Sequence, residues 1–258
     1  MKRDIVLVIG ANGQLGSVLI KELQTIHGNS NVIASDIYSD PNFQGIFQLL
    51  DATDMASIHI IIKKYSVTKI YHLAAILSAK GEQFPLKTWE LNTKMMLNVF
   101  EAARNSTVNK VFFPSSIAVY GNKAPLQNSP QSAFLNPATV YGISKATGEN
   151  WAQYYFEKYD LDIRSIRYPG IVGYQSMPGG GTTDYAVDIY HSAINKQTYN
   201  CFLKADTKLP MIFMDDAVRA TIELMQTPKD NLKTRTSYNL GSMSLNPSEI
   251  YESIKKKY

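Results

Sequence analysis

One stretch constrains this chain more than any other: Asp4-Ile-Val-Leu-Val-Ile-Gly-Ala-Asn-Gly-Gln-Leu-Gly-Ser17, an apolar run that breaks into three glycines. Ile5 to Ile9 are β-branched or leucine throughout, the pattern of a strand buried on both faces of a parallel sheet. Gly10, Gly13 and Gly16 follow at intervals of three, and Val18, Leu19 and Leu23 resume at helical spacing. A strand, a tight turn and a helix start in that order gather backbone N–H groups and the positive end of a helix dipole at one spot. A side chain at any of the glycines would obstruct a pyrophosphate there. Alone, the trio also describes an ordinary strand-to-helix turn.

Its context narrows the choice. A second β-rich run, Asn31 to Ser35, ends at Asp36, 20 residues past Gly16, where a carboxylate can accept hydrogen bonds from an adenosine ribose. No Lys or Arg occurs from Gly28 to Ile62 to neutralise the extra phosphate of NADP. The turn therefore predicts NAD.

The next elements alternate. Phe47 to Asp51 reads as a third strand, and Asp51 can either bond an adenine amino group or cap the helix from Asp54 to about Tyr65. Lys69 to Ala75 reads as a strand closing in small residues, which let backbone approach a flat ligand. Pro85 to Arg104 has helical periodicity with Asn92 as its odd polar member, either a backbone-bonding spacer near the cofactor or a surface residue. Lys110 to Ser116 reads as a strand ending in two hydroxyls. Alternation of this kind predicts an α/β chain with a doubly wound parallel sheet, whose ligands gather beyond the carboxyl ends of the strands. Ser115 and Ser116 fall at that edge.

A helix is expected from about Thr139 to Tyr159, and it carries Tyr141 and Lys145. Four residues apart, they share a face, so the ammonium can favour the phenolate, and an oxidised nicotinamide would lower the phenol further toward a useful base. Tyr-x-x-x-Lys occurs four times, at Tyr65/Lys69, Tyr141/Lys145, Tyr154/Lys158 and Tyr251/Lys255. Only Tyr141/Lys145 opens a helix shortly after a strand ending in serines. Downstream, Gly179 to Gly181 break the chain, and Thr182-Thr183-Asp184 form a candidate N-cap, either in a plain loop or in a lid over a small zwitterion. Leu209 to Asp216 reads as a strand ending in acids that can cap the helix from Ala217 to Gln226. Ser237 to Gly241 reads as a last strand, and Asn246-Pro247 as the start of a final helix.

Gly10-x-x-Gly13-x-x-Gly16, Asp36, Ser115-Ser116-Ile-Ala-Val-Tyr-Gly121, Tyr141-x-x-x-Lys145 and Arg167-Tyr-Pro-Gly170 together resemble the extended short-chain dehydrogenase/reductase family. The resemblance runs from residue 4 to about 240. Pro178 to Tyr190 and Ser144 to Glu149 are similar to segments of its NAD-dependent L-threonine 3-dehydrogenases. The resemblance implies a Rossmann-type domain over 1–170, joined by returns from later segments, and a small substrate lobe over 171–258. Members continue for several dozen residues beyond the point matching Tyr258, so that lobe is expected to be incomplete. It also implies a homodimer. It places NAD against Gly10, Asn12, Gly13, Gln14, Leu15, Gly16, Asp36, Ile37, Asp51, Ala52, Leu73, Ala74, Ala75, Asn92, Tyr141, Lys145, Tyr168 and Ile171. L-threonine would meet Ser78, Ser115, Tyr141, Gly180 and Thr182. Tyr141 is the implied base, Ser116 the holder of the substrate oxygen, and Lys145 the ligand of the nicotinamide ribose.

Two other readings stay open. A nucleotide-sugar epimerase or dehydratase uses the same groups but needs cations for a second pyrophosphate, and Met177 to Tyr190 contains no Lys or Arg. A dinucleotide-sensing regulator binds without turnover and has no need of tyrosine, lysine and serine together. The net charge of +4 is thinly spread, with Lys63-Lys64 and Lys255 to Lys257 read as solvated helix faces, so neither nucleic acid nor membrane is an expected partner. The single cysteine, Cys201, predicts a buried structural thiol in a reducing compartment. His27, His59, His72 and His191 fit no metal-ligand spacing. A cytoplasmic protein is expected, with no leader ahead of the first strand and no metal.

Overall fold

The computed structural model describes residues 4–125, 127–175, 181, 183–241 and 243–257. The anticipated run β1 (Val6–Ile9), α1 (Gln14–His27) and β2 (Val32–Asp36) opens the chain. It continues through β3 (Ile46–Leu49), α2 (Met55–Tyr65), β4 (Lys69–His72), α3 (Ser78–Gly81) and α4 (Pro85–Arg104). Next come β5 (Lys110–Phe112), β6 (Ser115–Ser116), α5 (Val140–Tyr159), β7 (Asp162–Arg164) and β8 (Ile166–Tyr168). The last part holds β9 (Gly170–Val172), α6 (Tyr185–Ile194), β10 (Leu209–Phe213), α7 (Met214–Gln226), β11 (Tyr238–Asn239), β12 (Met243–Leu245) and α8 (Pro247–Lys255).

Six strands form one parallel sheet in the order β3-β2-β1-β4-β5-β7. The order reverses beside β1, and Ile9 is flanked in register by Ser35 and His72, so three strand ends open onto the glycine turn. That is the crevice where doubly wound sheets take ligands. Helices cover both faces. Leu19, Ile20 and Leu23 of α1 pack with Ala217, Val218 and Met225 of α7 over one side of β1 and β2. Ile58, Ile61 and Ile62 of α2, Met96, Val99 and Phe100 of α4, and Ala152 and Tyr155 of α5 fill the other. Residues with both faces covered need no polar alternation, which is why β1 is apolar throughout.

Two smaller sheets, β11-β8-β6 and β12-β10-β9, carry the chain away from the main one. The expected single strand Lys110 to Ser116 is in fact two. Pro114 has no N–H to offer a ladder, so β5 ends at Phe112 and Ser115-Ser116 pair with Arg167-Tyr168 in a different sheet. β9 crosses the expected boundary between residues 170 and 171. Beyond it, Tyr185, Ala186, Met211, Ile250 and Ile254 make a separate small core.

Three local expectations need correcting. The strand thought to end at Asp216 ends at Phe213, and α7 starts at Met214, so Asp215 and Asp216 sit in the first turn of the helix, facing its dipole, and do not cap it. Asp184 has helical dihedrals and makes no side-chain cap for α6; its carboxylate turns back to accept the Gly181 N–H at 2.7 Å. Cys201 is only partly buried, against the edge of the small core. At α8 the expectation holds, with Asn246 and Glu249 forming a reciprocal capping box.

Candidate functional site

A cleft of about 940 Å³ runs from the glycine turn to the N-terminus of α5, a volume suited to a cofactor with a small substrate. Each glycine at its head has its own reason. Gly10 has φ +89°, and a Cβ there would lie 2.6 Å from the Ala74 nitrogen. A Cβ on Gly16 would lie 2.3 Å from the Gly10 oxygen, so this glycine lets α1 close onto the turn. At Gly13 the same atom would meet only the Gly10 oxygen, at 3.4 Å, and otherwise enter the cleft. No side chain caps α1, which leaves its first-turn N–H groups for an anion. Asp36 ends β2 at the same place. Its Oδ2 accepts the Asn12 N–H at 3.0 Å and its Oδ1 that of Ile37 at 2.8 Å, while the Asn12 side chain donates to the Tyr38 carbonyl at 2.8 Å. An open phosphate cradle and a carboxylate at ribose distance along the turn fit NAD.

The cleft is lined by the rest of the expected cofactor set, Gln14, Leu15, Ile37, Asp51, Ala52, Leu73, Ala74, Ala75, Tyr168 and Ile171, and by Ser78. Of the two roles open to Asp51, capping is taken by Asp54, whose carboxylate accepts the Ala56 and Ser57 N–H groups, while Asp51 accepts that of Thr53. Asn92 is the backbone-bonding spacer: its amide accepts the Ile76 N–H at 2.8 Å and donates to the Ile76 carbonyl at 3.0 Å. It stands behind the cleft wall and is not among the residues lining it. The Tyr168 hydroxyl is bound to Thr221 of α7, which leaves its ring for the cleft. Gly180 and Thr182 lie outside the described residues.

At the far end, Thr139 caps α5 by accepting the Gly142 N–H at 3.0 Å, and Glu82 accepts the Val140 N–H at 2.8 Å. Those two bonds hold the first turn, and with it Tyr141. Ser116 Oγ accepts the Ala118 N–H at 3.2 Å and is hydrogen-bonded to the Tyr141 phenol. Lys145 is buried, its Nζ 5.4 Å from the Tyr141 ring centre and 4.6 Å from that of Phe113. Serine, tyrosine and lysine thus meet as the spacing implied.

Their protonation differs from the expectation. Burial pushes the Tyr141 phenol up to about 12, with the Ser116 hydrogen bond acting against that rise, and burial pushes the Lys145 ammonium down to about 7. In a dry pocket without a paired carboxylate each group favours its neutral form, so Lys145 by itself does not make Tyr141 a base.

Ser115 also departs from its expected role. Its hydroxyl, the only proton it can donate, goes to Glu149 Oε1 at 2.6 Å. Glu149 is in turn held by Arg167, Nε at 2.9 Å and Nη2 at 2.7 Å, both side chains being buried. Arg167 Nη1 reaches the Tyr120 hydroxyl, the Gln131 carbonyl and Asn239 Oδ1. Sequence reasoning passed over this network. Its signals were available: Glu149 lies four residues beyond Lys145, and Arg167 interrupts the apolar strand Ile166-Arg-Tyr168. His72 was also missed as anything but a lone histidine. It is buried at the end of β4, its Nδ1 has no partner, and burial with Lys145 nearby holds it down at about 3.

The model of the NAD dependent epimerase/dehydratase family matches residues 6–241. An uncharacterized epimerase/dehydratase of Staphylococcus haemolyticus is 40% identical over 257 residues, which are 98% of this chain and 80% of that protein. Among solved structures, a partial consensus L-threonine 3-dehydrogenase is 47% identical with a TM-score of 0.96, covering 98% of this chain and 82% of that one. The holo form of a GalE-like L-threonine dehydrogenase from Cupriavidus necator is 45% identical with a TM-score of 0.95, over the same shares.

Proposed function

This chain belongs to the NAD dependent epimerase/dehydratase family, its cofactor is NAD, and we propose that within that family it oxidises the C3 hydroxyl of L-threonine to 2-amino-3-oxobutanoate. One observation carries the choice of a small substrate. Among the described residues lining the cleft, Lys145 is the only Lys or Arg, against three carboxylates, Asp36, Asp51 and Asp184. A nucleotide sugar brings a second pyrophosphate, whose charge such a lining would repel. An amino acid brings none. The likeness to solved threonine dehydrogenases at 45–47% identity supports the same substrate.

The roles follow from the geometry. The Gly10–Gly16 turn holds the pyrophosphate and Asp36 the adenosine ribose, with Asn12 keeping the carboxylate in place. Lys145 donates to the nicotinamide ribose hydroxyls. Ser116 Oγ holds the substrate hydroxyl beside the Tyr141 phenolic oxygen, which takes its proton. NAD, when bound, supplies the hydride acceptor and a positive ring that favours the phenolate. Ser78 and the 179–184 segment meet the amino acid.

The test is NADH formation by the purified protein with L-threonine, L-serine, other 3-hydroxy amino acids and UDP-sugars, each with NAD. Oxidation of L-threonine ahead of the rest is the expected result. Turnover of a UDP-sugar with none of L-threonine would overturn the reading.

A further inference from the structure

β6 is two residues long and pairs only with β8, Ser115 against Arg167 and Ser116 against Tyr168. So short a strand has little stiffness of its own. Yet Ser116 has to stand against Tyr141 on a different element, to within about 0.5 Å for chemistry. Something else must set its place.

Tyr141, Lys145 and Glu149 lie at i, i+4 and i+8 on α5, one face of the helix over about 12 Å. The first bonds Ser116 and the last bonds Ser115. α5 therefore grips the two-residue strand at both of its side chains. The grip is also tied across the small sheet, because Arg167 of β8 holds both oxygens of the same carboxylate. Arg167 in turn is fixed by Tyr120, Gln131 and Asn239, from the loop after β6 and from β11. A fully satisfied buried network of this kind rigidifies what it touches.

We infer that Glu149 is a positioning residue: through Ser115 it sets the Ser116 hydroxyl against the Tyr141 phenol, and Arg167 neutralises the carboxylate that does so. The inference rests on the reading of Tyr141 as the base, and it does not depend on which hydroxyl is oxidised. With the Glu149 bond lost, β6 can shift and Ser116 no longer stabilises the phenolate, so Tyr141 holds its proton more tightly.

The experiment follows ultraviolet absorbance of tyrosinate against pH in the NAD-saturated protein, with the Tyr141→Phe protein subtracted to remove the other tyrosines. Lys145 and its neighbour His72 are present in every variant and cancel. Ser115→Ala deletes one hydroxyl with little change in packing. It is expected to raise the proton affinity of Tyr141 about three- to tenfold, the worth of one hydrogen bond, and to lower kcat by a similar factor at fixed pH with KM unchanged. Glu149→Gln is expected to act in the same direction, and Ser115→Ala added to it to do little more, since both act through one bond. Should Glu149→Gln fail to fold with Arg167 left unpaired, Ser115→Ala decides alone.

A Ser115→Ala protein that titrates Tyr141 as wild type overturns the inference. So does one whose only defect is a raised KM, the mark of direct substrate contact. If the titration moves as expected while L-threonine is not oxidised, the positioning role stands and the substrate assignment falls.

Discussion

Gly16→Ala should damage both the fold and the cofactor site, whereas Gly13→Ala should damage the site alone. The added Cβ at Gly16 starts 2.3 Å from the Gly10 oxygen and 2.8 Å from the Ala11 oxygen. Both are backbone atoms, so no rotamer change relieves the contact. Reaching 3.0 Å from 2.3 Å moves α1 off the turn by about 0.7 Å. Overpacking of this order costs about 1–3 kcal/mol and should lower Tm by several degrees. The same movement exceeds the roughly 0.5 Å within which a binding site keeps its geometry. Losing one charge-assisted N–H bond to the pyrophosphate, about 1.5–3 kcal/mol, weakens NAD at least about tenfold. At Gly13 the nearest protein atom is 3.4 Å away, an ordinary contact, so Gly13→Ala should melt with wild type while its methyl obstructs the phosphates. Calorimetric NAD titration and thermal melts of the three proteins without ligand decide the matter. Unchanged Tm and NAD affinity within twofold of wild type for Gly16→Ala would refute the steric account. So would equal melting losses at both positions.

Other outcomes follow from the same geometry. Tyr141→Phe should lower turnover about 10²-fold or more with NAD binding kept, while Tyr154→Phe, on an exposed part of α5, should match wild type in a rate assay. Asp36→Ala should weaken NAD by roughly the 1.5–3 kcal/mol of a charged hydrogen-bond partner and narrow its lead over NADP; equal use of both cofactors by wild type would contradict the role given to Asp36. For Lys145 the folded pKa of about 7 lies below its ordinary value of 10.5. The unfolded chain then binds more protons between those two values, so burying this lysine destabilises fully below about pH 7 and not at all above 10.5. Ligand-free Lys145→Met should therefore be more stable than wild type in urea at pH 7, with the gap closing as pH rises; a gap independent of pH would show that Lys145 is not buried as described.

Much of this site is legible in residues near one another along the chain. The β1 turn and the start of α1 follow from spacing, because a strand, three glycines and a helix are placed by backbone geometry within one unit. Asp36 joins them by lying at the end of the neighbouring parallel strand. The Tyr141/Lys145 pair is equally local, four residues on one helix. What depends on packing between distant segments was not readable. Ser115 looked free for substrate, yet its proton belongs to Glu149, 34 residues away. Asn92 and Asp51 each had two possible roles that only their neighbours could separate. The Tyr141–Lys145 spacing promised a lowered phenol, but spacing carries no information about water, and the pocket that buries both groups raises one and lowers the other. Pro114 stands in the sequence as a plain strand breaker; which sheet would receive Ser115 and Ser116 was decided by β8, some fifty residues later, offering them a partner. Local backbone geometry is written in short-range pattern, whereas the partner of a buried polar group is set by whichever element the whole fold brings beside it.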